Sequence, residues 1–234
     1  MLTNSGTKDL WPRDIGAARE VQDILRKRVK ILPLRKTPAY IAAVDAAFAG
    51  NKVIAVSTLS TFPSLEHRQD AVSWEEIRFP YVPGLLTFRE GHAMISALKG
   101  LTILPDVILV DGQGIAHPRG IGIASHIGVL LGRPTIGCAK SRLVGEFREP
   151  RPRRGSWSYL YYNGREVGAV LRTRDHVKPL FISPGHLIDI SSSREIVMEC
   201  LSGYRIPEPL RRADSLSREF SRHRKYISGT GHVK

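Results

Sequence analysis

Residues 106–140 most narrow the folds open to this chain. DVILV (106–110) is a short continuous apolar run, the kind that makes a strand buried on both faces. It leads into a glycine-rich loop, DGQGIAHPRG, then a helical run of small and apolar residues, IGIASHIGVLLG, then a second apolar run, PTIGCAK (134–140). A strand, a crossover helix and a second strand place two parallel strands side by side with helices over the sheet. Upstream, YIAAVDAAF (40–48) and KVIAVSTLS flank Gly50-Asn51 and predict a hairpin over 40–60. A third, more polar strand is expected over 66–78, nearer an edge. The fold class expected is therefore α/β: a central mixed sheet with an antiparallel hairpin followed by parallel strands, and helices on both faces.

Helices are predicted over 14–31, capped by Asp14, over 87–99, opened by a Thr87–Glu90 capping box, and from Ser191–Ser193 through Leu201. A second hairpin is expected to turn at Asn163-Gly164, and PLFIS (179–183) reads as a short strand. No repeat and no low-complexity tract interrupts the 234 residues, which are expected to form one domain with its core in 40–214 and a loose tail after 226.

Charge points to the partner. Lys and Arg number 35 against 22 Asp and Glu, a net +13, which suits a polyanion. The basic residues gather at 26–36, 142–155 and 205–225; these are either phosphate-contacting or solvated surfaces. No apolar run approaches the roughly 18 residues of a membrane span, and MLTNSGTKDLWPRD lacks a secretory pattern, so a cytoplasmic protein without a membrane partner is expected. Cys138 and Cys200 stand in apolar contexts without zinc-site spacing and read as buried free thiols.

Four acids stand out. Asp45 interrupts an apolar strand, where a carboxylate is costly unless paired or bound to metal. Asp111 ends DVILV, where ligands of α/β sheets bind, although an Asp-Gly turn explains it as well. Glu90 also closes the expected capping box, and Asp214 has Arg211 and Arg218 at helical spacing. Taken together, carboxylates from a first strand, a following helix and the next strand converge at one sheet end. That is the hard-oxygen set that Mg²⁺ prefers and that metal-assisted phosphodiester hydrolysis uses. DGQGIAH lacks the Gly-Lys-Ser/Thr of a P-loop, and AAFAG after Asp45 lacks the hydroxyl residues of an actin-like phosphate loop.

With these acids placed, AAVDAAF, FPSLE, PYVPGLLTFRE, DVILVDGQGIAHPRGIGIASHIGVLLGRPTIGCAKSRL, PLFISPGH and GYRIPEPLRRAD, in order over 40–214, resemble the endonuclease V family. The resemblance implies a ribonuclease H-like fold and a deoxyribonuclease V activity. The enzyme would be a Mg²⁺-dependent endonuclease, with Mn²⁺ able to substitute, acting in DNA repair. It would hydrolyse the second phosphodiester bond 3′ to hypoxanthine or another deaminated base, leaving 3′-hydroxyl and 5′-phosphate ends. Asp45, Glu90 and Asp111 match the family's metal-site acids, Asp214 a further site acid, and Lys140 and His117 positions near the scissile phosphate and the base pocket. Pro80, Tyr81, Val82 and Pro83 match the family's wedge for a flipped nucleotide, and Gly84, Leu86, Gly112, Gly114 and Gly122 match its pocket. A solitary Tyr81 on a loop, and glycines serving only turns and close packing, are the plainer alternatives. The expected partner is DNA containing deoxyinosine, bound by a monomer. An endoribonuclease for inosine-containing RNA and a non-cutting binding protein are the alternatives.

Overall fold

In β1 (Tyr40–Ala49) Ile41 and Ala43 point into one apolar layer and Ala42 and Val44 into the other. This is period-two placement in a strand covered on both faces. The computed structural model describes residues 10–222; the tail expected to be loose lies outside them. β1 turns at Gly50-Asn51 into antiparallel β2 (Lys52–Thr61), and β2 pairs with β3 (His67–Glu76), one edge of the sheet. On its other side β1 runs parallel to β4 (Val107–Val110), and β4 parallel to β5 (Thr135–Ala139). A hairpin of β6 (Trp157–Tyr162) and β7 (Arg165–Leu171), turning at Asn163-Gly164, and then β8 (Leu180–His186) complete eight strands in the order β3-β2-β1-β4-β5-β8-β7-β6. The expected mixed sheet is present. Parallel pairing joins only β1 to β4 and β4 to β5, and β8 returns antiparallel to β5.

Two helical layers cover the sheet. α2 (Leu86–Lys99) and α3 (Ile123–Leu131) bring Ala93, Met94 and Ile127 against Ala42, Val44 and Val110. α1 (Ile15–Arg26) packs outside them through Val21 and Leu25, against Phe88 and Ile121. On the opposite face, α4 (Ile190–Glu199) and α5 (Glu208–Arg222) lie over Ile41, Ala43, Leu109 and Cys138. Both cysteines are buried and free. Among the described residues no helix is long and apolar enough to cross a membrane.

Several local expectations are corrected. α1 stops at Arg26 rather than 31, because the following chain is captured by the end of β8: the Lys30 amide donates to His186 Nδ1 and the Lys30 carbonyl accepts from the Leu187 amide. Thr87 and Glu90 form no capping box. The helix opens one residue earlier, behind Leu85, and both side chains are buried. α4 is capped by Asp189, whose carboxylate accepts from the Ser192 amide, so the serines lie inside its first turn. β8 runs to His186, past Pro184, which pairs with Ile136; a shift of register between Thr135 and Ile136 leaves Gly185 as the extra residue. The segment around Asp214 is a full helix, α5.

Candidate active site at the strand ends

Register brings the first two acids together. Val44 on β1 is the partner of Val110 on β4, and the Asp111 amide donates to the Val44 carbonyl at 3.2 Å, so Asp45 and Asp111 emerge side by side. Both continue the alternation of Ile41, Ala43, Val107 and Leu109, and therefore turn to the α4/α5 face. There α5 supplies Asp214. One carboxylate oxygen from each of Asp45, Asp111 and Asp214 lies within 4.8 Å of the others. Lys140, just after β5, bridges two of them, at 2.6 Å to Asp111 and 3.1 Å to Asp214. Asp214 also pairs with Arg218 one turn on, at 2.8 Å.

Glu90 approaches from α2. It is outside the three-carboxylate group but close enough to feel it, and only 6% exposed. Burial, then the charges of Asp45 and Asp111, push its carboxyl up to about 8. Burial, followed by the charge of Asp111, pushes Asp45 up to about 7. Lys140 moves the other way from a buried lysine: burial would lower it, but hydrogen bonds and charges from Asp111 and Asp214 raise it, so it stays cationic.

These groups open into a cleft of about 450 Å³ whose far wall is the 81–85 loop, the start of α2 and the glycine-rich loop. Tyr81, Val82, Pro83, Gly84, Leu86, Gly112, Gly122 and His117 line it together with Asp45, Glu90, Asp111 and Lys140. Tyr81 is 70% exposed at the mouth. Pro80 and Gly114 do not line it. Gly114 lies beneath, its amide donating to Ser183 Oγ and its carbonyl accepting from Gly122, and a Cβ there would meet the Pro184 carbonyl oxygen at 2.1 Å. Close backbone packing accounts for this glycine. Asp214 stands behind the cleft, on the α5 side of the acids.

His117 is held at both nitrogens. Nε2 lies 3.0 Å from the Gly84 carbonyl and so donates, while Nδ1 accepts from the Arg119 amide at 3.2 Å. Burial lowers its pKa to about 4, which keeps the ring neutral. The Gly84 carbonyl takes a second donor, Gln22 Nε2 of α1 at 2.9 Å. Gln22, fully buried, was invisible in the sequence: a polar residue on an amphipathic helix belongs to no motif. Arg205 was missed likewise; its guanidinium donates to the carbonyls of Lys140 and Pro179.

The donor set fits a hard divalent cation. It is all carboxylate oxygen, the oxygens converge, and two of the acids are disfavoured as anions until positive charge arrives. The protein-family profile described as Endonuclease V matches residues 23–215. The chain belongs to the endonuclease V family. It is similar to endonuclease V of Methanothrix thermoacetophila, 48% identical over 207 residues that cover 88% of this chain and 92% of the relative. Among solved structures, endonuclease V of Streptomyces avermitilis superposes with a TM-score of 0.87 at 40% identity, covering 92% of this chain and 96% of that one. Endonuclease V of Ciona intestinalis, solved in complex with a 24mer DNA containing an inosine followed by a ribo-adenosine, has a TM-score of 0.77 at 25% identity, covering 89% of this chain and 98% of that one. The fold is thus the ribonuclease H-like fold of endonuclease V, and the protein is an enzyme, a nucleic-acid endonuclease of the deoxyribonuclease V type.

Proposed function

We propose that the protein is a Mg²⁺-dependent endonuclease of DNA repair that finds hypoxanthine in DNA and hydrolyses the second phosphodiester bond on its 3′ side, leaving 3′-hydroxyl and 5′-phosphate ends. One observation carries the chemistry: three carboxylates converge beside a fourth, with Asp45 and Glu90 pushed towards their neutral forms by burial and by the charge of their neighbours. The inosine-containing DNA bound by the Ciona relative supports the choice of substrate.

Asp45 and Asp111 would hold the ion, with Glu90 on the α2 side and Asp214 on the α5 side. A bound Mg²⁺ supplies neutralisation of phosphate charge and acidification of a water. The chain's own groups do the rest. Lys140, kept cationic, presents positive charge to the scissile phosphate. Asp214, paired to Lys140 and Arg218, orients that lysine. Tyr81, in a segment bounded by Pro80 and Pro83, is stiffly held at the mouth and fills the space of an extruded nucleotide. Backbone groups of Gly84, Leu86, Gly112 and Gly122 face the base, and Gly114 supports them from below. His117 is a positioning residue that straps the 81–85 loop to the glycine-rich loop. It does not serve as a general base, since both nitrogens are engaged.

The test is end-labelled oligonucleotides carrying one inosine, single-stranded and duplex, DNA and RNA, incubated with Mg²⁺ or with chelator. Cutting of the DNA duplex at the second bond 3′ to inosine, only with metal, is the expected result. Equal cutting of unmodified duplex overturns the substrate reading, and cutting in chelator overturns the metal reading. Cleavage confined to RNA replaces DNA as the substrate.

A further inference from the structure

A second charged surface adjoins the cleft along the same end of the sheet. The loops after β5 and β7 and before β6 all emerge at the end where Asp45, Asp111 and Lys140 stand, because Ala139 pairs with Phe181, Leu180 with Leu171 and Leu171 with Trp157. These loops expose Arg148, Arg151, Arg153, Arg154, Arg174 and Lys178, and none of the six makes an ion pair among the described residues. Of the three acids in these segments, Glu149 pairs with Arg172 and Asp175 accepts from the Arg154 amide, while Glu146 is bridged through its backbone to Tyr161, near the opposite end of β6.

The surface is fixed rather than merely charged. Arg172, only 7% exposed, spends its guanidinium inside the two loops, donating to the carbonyls of Arg151, Pro150 and Val177 and to Glu149. The His176 amide donates to the Pro152 carbonyl, and the Gly155 amide to the Arg172 carbonyl. A hydrogen-bonded line then ties this body to the site. Thr173 Oγ1 donates to the Arg205 carbonyl at 2.7 Å, and the Arg205 guanidinium donates to the Lys140 carbonyl at 2.6 Å and to Pro179 at 2.8 Å. A solvated charge run does not require a buried arginine that holds its backbone in one shape.

We propose that this platform is a second binding site, which grips the phosphodiester backbone of the substrate's flank on one side of the cut. From β4 through β5 and β8 to β7 is three strand spacings, about 14 Å at roughly 4.8 Å each. At about 3.4 Å per base pair that reaches a flank roughly four base pairs from the cleaved bond. Phosphate contacts there add affinity and register without reading sequence. The proposal rests on the family's action on nucleic acid, and on the inosine reading only for one of its two probes.

The first probe is an unmodified duplex of about 30 base pairs, bound by the full chain and followed by fluorescence anisotropy between about 50 and 200 mM salt. The variant Arg151→Ser/Arg153→Ser/Arg154→Ser/Arg174→Ser is compared with its all-lysine counterpart. The expected result is a slope of log affinity against log salt shallower by about two or more in the serine variant, at about 0.9 for each phosphate left unneutralised, with the lysine variant close to wild type. An unchanged slope overturns the proposal, as does equal weakening in the lysine variant, which would make the effect one of shape and not charge. The second probe is an inosine duplex with one flank cut to about three base pairs, its half-saturation read from single-turnover cleavage. Wild type is expected to weaken about tenfold when the flank on the platform's side is cut, and the serine variant less than about threefold. Equal weakening in both proteins overturns the proposal. Failure of the inosine reading would appear separately, as cutting indifferent to inosine, and leaves the anisotropy result intact.

Discussion

From one side of α5, Arg212 reaches Asp70 of β3 with both guanidinium arms; two residues further on, Asp214 reaches Lys140 and the acids at the ends of β1 and β4. The same helix thus meets two acidic groups on the same sheet, and they are built in opposite ways. At Asp70 burial would raise the carboxyl, but the Arg212 hydrogen bonds win and lower it, so the charge is settled within the protein. At Asp45 and Glu90 burial and like charge act together, and the one nearby lysine is committed to Asp111 and Asp214. A structural carboxylate arrives with its partner. In the candidate cation site, Asp45 and Glu90 have no ion-pair partner among the described residues, and burial works against their charge.

The sharpest way to break this contrast is to neutralise one acid of each kind. Asp111→Asn is expected to cut the rate of inosine-duplex cleavage by about a thousandfold or more, since the metal's contribution to the transition state is several kcal/mol. The same change relieves repulsion on Asp45, so the melting temperature of the metal-free protein should hold or rise. Asp70→Asn should do the reverse, lowering stability by about 0.5–1.5 kcal/mol through the weakened hydrogen bonds to the partly exposed Arg212, with cleavage within a few-fold of wild type. Single-turnover rates and denaturant melts on both variants decide it. If Asp70→Asn proves the more damaging to cleavage, the division between the two groups is wrong.

The two groups also predict opposite responses to pH. Asp45 and Glu90 have folded-state values, about 7 and about 8, above their ordinary ones. The folded chain therefore holds protons that the unfolded chain has released, and the stability of metal-free protein falls as pH rises from about 4 towards 8. Asp70 is lowered in the folded state, so its contribution is present above the ordinary carboxylate range and is lost as pH falls below it. Thermal melts in chelator across this range should decline towards pH 8. Glu90→Gln should flatten that decline, and Mg²⁺ should raise the melting temperature more near pH 8 than near pH 5.5, because binding then displaces fewer protons. A metal-free melting temperature that rises steadily from pH 5 to pH 8 would sink the argument.

What the sequence disclosed follows the same division. Asp45 was legible because a carboxylate inside YIAAVDAAF contradicts its surroundings, and Asp111 because it ends a buried strand. The mixed sheet was legible from run length and turn residues. Local pattern offered Glu90 a helix cap, and its place among the site acids came from the family motif; only the packed helix shows it buried. Asp214 lies in an Arg-rich stretch whose helical face becomes apparent once α5 is laid on the sheet. Gln22 and Arg172 carry no motif, and Arg205, within GYRIPEPLRRAD, is one of several arginines there with nothing to single it out. Most of their partners are carbonyls more than twenty residues away, and a backbone oxygen leaves no mark on residue identity.

The smallest expected effect tests whether the cleft's far wall is as deliberately held as its acids. The Gly84 carbonyl sits between Gln22 and His117, at 2.9 and 3.0 Å, while the next amide, that of Leu85, donates to the Val82 carbonyl. The peptide between Gly84 and Leu85 is thus fixed at both ends, in a loop whose left-handed glycine (φ +80°) permits other orientations. Replacing Gln22 by Leu removes one of two donors, about 0.5–1.5 kcal/mol, and leaves His117 to hold the carbonyl. The expected result is a KM for inosine duplex raised by roughly two- to tenfold with kcat little changed, and a smaller preference for inosine over unmodified duplex. Gln22→Leu combined with His117→Leu should lose more than the sum of the two changes, because only the pair frees the peptide. Strict additivity would mean that the two side chains merely pack, and that the loop is held by its prolines.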